Sequence, residues 1–139
     1  MTLSNALGVD CAEVRDALSR GESKLGPSPV DVPFETAVGA IDVELPELPS
    51  ELGAWSTRLS RIAALLVANL EAELVRLREH WRADRIAVIL GTSTAGAETN
   101  EAAFQHYLAT DRLPGDYDLW RQHTYGAVLH VMRTLTGAR

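Results

Sequence analysis

Arg85-Ile86-Ala87-Val88-Ile89-Leu90-Gly91-Thr92-Ser93-Thr94-Ala95-Gly96 joins an unbroken apolar run to a turn of small residues. The run Ile86 to Leu90 is uncharged and rich in β-branched residues, which suits a strand. Because it is apolar at every position, it is expected to be buried on both faces, in the centre of a parallel sheet. The glycines, hydroxyls and Ala95 then turn the chain into a helix. The expected class is therefore α/β, helix-rich, with one clear buried strand.

Helices are expected on both sides of this stretch. Leu59, Ile62, Leu66, Leu70, Leu74 and Leu77 recur at intervals of three and four, predicting one amphipathic helix from about Thr57 to about His80. A second is expected over Thr99–Thr110, with Ala102, Phe104, His106 and Tyr107 available for packing. A third is expected over Trp120–Leu135, ended by Thr136-Gly137. Nearer the start, Glu13–Ser19 reads as a short helix closed by Arg20-Gly21. Gly26-Pro27-Ser28-Pro29 reads as a loop, Val38–Val43 as a short strand and Pro46–Pro49 as a linker. Leu113-Pro114-Gly115-Asp116 reads as a turn.

The 139 residues suffice for one domain with a core, and 46% hydrophobic with 23% charged residues is ordinary for a globular chain. The net charge of −6, without a long basic run, argues against nucleic-acid binding. The longest apolar run, Ile62 to Leu70, is too short to span a bilayer. No signal-peptide pattern opens the sequence, so a cytoplasmic location is expected. One cysteine, Cys11, excludes an intrachain disulfide and a cysteine-based zinc site.

Several chemistries can be weighed on spacing. Gly91 and Gly96 have the separation of a phosphate-binding loop, but Ala97-Glu98 stands where a lysine and a hydroxyl are required. A glutamate there opposes a phosphate. The dinucleotide glycine pattern also fails. Gly91-Thr92-Ser93-Thr94-Ala95 is one residue away from a serine-hydrolase elbow. Asp116 or Asp118, then His123 or His130, follow in the hydrolase order. That order is easily met by chance, and a hydrolase sheet needs more strands than this sequence offers. Hydroxyls satisfying a tight turn are the simpler account of Thr92, Ser93 and Thr94. His80 is expected at a helix end. His106, His123 and His130 fall on expected helices, with His123 and His130 about two turns apart and so too far for one metal. No metal or cofactor is expected.

With these residues in view, the sequence resembles the β-ketoacyl-acyl-carrier-protein synthases of the thiolase-like superfamily. Arg85 to Gly96 is similar to that family's "Arg-Ile-Gly-Val-Val-Leu-Gly-Thr-Ser-Thr-Ser-Gly". Ser4-Asn5-Ala6-Leu7-Gly8 resembles its "Ser-Pro-Leu-Gly" opening. The helix ending Ser19-Arg20-Gly21-Glu22-Ser23 resembles one ending "Ala-Gly-Arg-Ser-Gly". Thr57 to Ala63 is similar to "Arg-Asn-Asn-Arg-Leu-Ala". Tyr117 to Arg139, with Gln122-His123-Thr124, looks like the helix before the nucleophile strand. The resemblance covers nearly the whole chain.

What it implies is a partial N-terminal half of a thiolase-like fold over residues 1–139. The implied activity is an acyltransferase, performing decarboxylative Claisen condensation in fatty-acid or polyketide biosynthesis. It implies an acyl carrier protein as partner and a homodimer in the complete enzyme. The departures matter as much. Met1-Thr2-Leu3 stands where a "Val-Val-Val-Thr-Gly" strand is expected, and no "Thr-Ala-Cys-Ser-Ser" occurs. The family's catalytic cysteine, two histidines and associated lysine therefore have no counterparts, and Cys11 lies outside the nucleophile motif. The chain alone is expected to be inactive. By the same resemblance Thr94, flanked by Ser93 and Ala95, lines an acyl pocket, and Thr124 to Val128 lies near the pocket and the dimer interface. A lone buried strand cannot satisfy its own backbone. A marginal, helix-rich fold is thus expected unless another chain, such as a complementing synthase, completes the sheet.

Overall fold

A computed structural model describes residues 1–139, which form two compact units, Met1–Glu44 and Leu45–Arg139. The elements are mostly helical, and the sheet is a single antiparallel pair.

In the first unit, α1 spans Cys11–Ser19. Its start is set by Asp10, whose Oδ1 accepts from Ala12 N at 2.7 Å and Glu13 N at 2.9 Å. These bonds satisfy two of the helix's free amides. Its end is set by Gly21 at φ 67°, which lets Glu22 N donate to Ala17 O at 3.0 Å. The expected helix was two residues too short, because Asp10 is the cap. Strands β1, Leu25–Pro27, and β2, Ala37–Gly39, pair with Leu25 opposite Gly39 and Pro27 opposite Ala37. So the expected loop at Gly26-Pro27 is half strand, with proline at the end of an edge where its missing N–H costs nothing. The expected strand Val38–Val43 keeps only its first two residues. Val14 and Ala17 are the buried apolar residues of this unit.

The second unit is built on helix packing. The long helix expected over 57–80 is two helices, α2 over Arg58–Ala68 and α3 over Glu71–His80. The break falls at Asn69-Leu70, where Leu70 leaves helical geometry at φ −105°, ψ 6°. Asparagine is a weak helix former whose amide competes for backbone groups. Of the expected stripe, Leu74 is buried in the core and Leu59 and Leu70 pack against it, but the most buried positions of α2 are others. Ala63 and Val67 are innermost and Leu77 is exposed, because small residues let α6 approach α2 closely. Helix α4 spans Ala97–Thr110. Of it only Ala103 is buried. Ala102, Phe104, His106 and Tyr107, expected to pack, are exposed. The third expected helix is also divided, into a single turn α5, Leu119–Gln122, and α6, Tyr125–Thr136. Thr124 starts α6 by accepting from Ala127 N at 3.1 Å, and Gly137 at φ 72° ends it.

The core joins Ala63 and Val67 of α2, Leu74 of α3 and Val128 and Met132 of α6, with Val88, Leu90 and Leu135 against it. Arg78 adds a polar clasp, donating to Thr136 O at 3.0 Å and Leu135 O at 3.1 Å. Arg61 does the same for the segment before α2, reaching Leu45 O at 2.6 Å and Pro46 O at 3.0 Å.

The segment 86–90 corrects the central expectation. Its burial alternates with the two-residue period of an extended chain, but it pairs with no strand. Ile86, Val88 and Leu90 are half-buried, whereas Ala87 is exposed and Ile89 is 93% exposed. One face is therefore covered and not two. The reason is that an apolar run reports a capacity for burial, and here only one layer of helices meets it.

Candidate binding cleft at the 91–96 turn

Thr57 precedes α2 and is itself buried. Its Oγ1 accepts from Ser60 N at 3.1 Å and lies 2.8 Å from Ser60 Oγ, which in turn reaches Trp55 O at 2.7 Å. This closed network fixes the start of α2. Gly96 precedes α4 with φ 57° and no side-chain cap. Its position is fixed by contact: a Cβ there would collide with Gln122 O and come within 2.7 Å of His123 Cα. Only glycine tolerates both the dihedral and the approach. The turn between is held at two points. Thr92 Oγ1 donates to Thr94 O at 2.8 Å, and the Tyr125 hydroxyl donates to Ser93 O at 3.0 Å.

These constraints leave a cleft of about 230 Å³ between the starts of α2 and α4. Leu59, Ile62 and Ala97 give it apolar wall, Thr92 and Thr94 give it hydroxyls, and Arg58 and Glu98 give it opposite charges. A second hollow of about 430 Å³ shares Thr57, Arg58, Glu98 and Thr99 and reaches Arg61. The three residues expected to line a pocket separate here. Thr94 is in the wall, Ala95 is buried at 7% exposure, and Ser93 is exposed outside the wall.

The structure does not assemble a hydrolase triad. Ser93 is held through its carbonyl, and no hydrogen bond joins its hydroxyl to a histidine. Asp118 caps α5, accepting from Trp120 N at 2.9 Å, and Asp116 contributes its backbone carbonyl to Gln122. His123 Nδ1 is buried without a partner. His130 stacks on Trp55 with ring centroids 4.2 Å apart, and the Arg121 guanidinium lies 5.8 Å from the centre of that Trp55 ring. His80 Nδ1 lies 2.8 Å from Arg76 O at the end of α3, and His106 lines a separate hollow with Asp116 and Tyr117. No cluster of His, Cys, Asp and Glu converges to hold a metal. Cys11 Sγ donates to Met1 O at 3.6 Å.

Sequence reasoning missed the two contacts that shape the cleft. The Tyr125–Ser93 bond spans thirty-two positions and has no local signal. Gly96 carried little signal either, since glycine is an ordinary residue at a helix start and its close approach to Gln122 and His123 is a distant contact. No protein-family model matches the chain, and no curated protein matches it. No helix is long and apolar enough to cross a membrane.

Proposed function

We propose that the chain is related to the β-ketoacyl-acyl-carrier-protein synthases and supplies one wall of an acyl-binding cleft, without condensing acyl groups on its own. The observation that carries this reading is Thr94 in the wall of a cleft that Leu59, Ile62 and Ala97 also line, at the turn that most resembles the family. Leu59, Ile62 and Ala97 offer aliphatic contact to an acyl chain, and Thr94 offers a hydroxyl. Gly96 and Tyr125 hold the turn rigidly enough to shape that contact. In this reading an acyl carrier protein delivers the chain, and a complete or complementary synthase supplies the thiolate that accepts it. The thiolate would take the acyl group from its thioester, releasing the carrier thiol.

The test is direct. Octanoyl-pantetheine should bind the purified chain weakly and reversibly, read by saturation-transfer NMR, and Thr94→Trp should abolish the signal. Labelled acyl carrier protein should leave no covalent label on Cys11. Binding untouched by Thr94→Trp, or no binding, would remove the acyl-cleft reading. A fluorophosphonate label lost in Ser93→Ala would replace it with the hydrolase.

A further inference from the structure

We infer that the extended segment 86–90 is an acceptor for a β-strand of another polypeptide, apolar on one face and carrying a carboxylate level with Arg85. This does not rest on the condensing-enzyme reading. The backbone N–H and C=O groups of residues 87–90 make no hydrogen bond within the chain. Such groups seek partners. An extended backbone offers them along its edges at a repeat that only another extended backbone matches, since a helix has already used its own. The occupant is thus a strand.

The segment is also anchored for the purpose. Val88 and Leu90 rest on the helical core, so the ladder groups are presented from a fixed base. Alongside runs a groove of about 290 Å³ lined by Leu77, Trp81, Arg85, Ile86 and Ala87. Trp81 is 54% exposed and Ile89 93%, which gives the incoming side chains apolar contact. Charge defines the occupant further. Arg82 is paired with Asp84 at 3.2 Å, but Arg85, in the groove wall, makes no ion pair. A carboxylate is its complement. A second copy of this chain does not supply one. Antiparallel pairing of 86–90 with itself about Val88 sets Gly91 opposite Arg85, and parallel in-register pairing sets arginine against arginine.

The probe is a fluorescein-labelled ten-residue peptide, a glutamate followed by alternating valine and threonine, titrated against the full chain by anisotropy. Saturable binding is expected. Methylating alternate peptide amides should weaken it by about tenfold or more, since each ladder bond lost counts. Exchanging the glutamate for lysine should weaken it by about threefold, and Arg85→Glu should invert that preference. Ile89→Thr, which keeps an extended backbone at an exposed position, should retain the dependence on amide methylation. No saturation at millimolar peptide, equal binding of the methylated peptide, or a sedimenting dimer that the peptide does not dissociate would overturn the inference.

Discussion

Gly96 carries more of the cleft's shape than any polar residue in it. Its φ of 57° is a region that side chains rarely adopt, and the missing Cβ leaves room for the Gln122 carbonyl and His123 backbone. Neither neighbour is the flexible end of a side chain, so an added methyl must move backbone. Gly96→Ala should therefore destabilise the second unit by about 2–4 kcal/mol, combining dihedral strain with overpacking. Urea titration read by tryptophan fluorescence measures this, and an unchanged midpoint would refute the close approach. Glu22 makes the opposite kind of prediction, sharp in direction and small in size. The Arg20 guanidinium donates to its Oε1 at 2.6 Å and holds the carboxyl below its ordinary 4.5, while Arg20 is raised in turn. A lowered carboxyl contributes stability that is complete above the unfolded value and is lost as pH falls through the folded one. Both groups are solvated, so the effect on folding is slight. A carbon-detected NMR titration should place the Glu22 midpoint under 4.5 and return it to normal in Arg20→Gln.

Elements were legible where a local signal specified them and illegible where a distant contact did. The α1 and α6 terminators, Gly21 and Gly137, are local: each adopts the left-handed conformation that ends a helix. The turn at Pro114 is local too, closed by Tyr117 N donating to Pro114 O at 3.2 Å. By contrast, periodicity could not see the break at Asn69-Leu70, because the apolar positions keep their spacing across it. Nor could it see that Thr124 starts a new helix, since its hydroxyl both caps α6 and donates to Trp120 O at 2.9 Å. The largest error was at 86–90, and its origin is physical. Hydrophobicity sets what a residue gains when covered, but the covering layer comes from elsewhere. Val88 and Leu90 find α2 and α6, and Ile89 finds water. The cleft was half legible for the same reason. Thr94 was named from the turn, whereas Leu59 and Ile62 were read as core and line the cleft or its edge.

At the scale of the whole molecule, burial is unevenly shared between the two units, and protection against amide exchange should follow it. The second unit holds Leu52, Ser60, Val128 and Val131 essentially without solvent contact, while the first buries Val14 and Ala17 around one short helix and a three-residue ladder. Local opening costs less where fewer apolar contacts are lost. Amides of α2 and α6 should therefore exchange slowest, and those of α1, β1 and β2 faster, near the limit set by fraying. Residues 87–90 discriminate further. Their amides have no acceptor in the chain, so they should exchange close to the unprotected rate although Val88 and Leu90 pack against the helical core. Adding the strand peptide should slow these amides selectively and leave α4 unchanged. Uniform protection across both units would contradict the uneven core. Slow exchange at 87–90 in the chain alone would mean that their backbone is already paired, and the open edge would have to be abandoned.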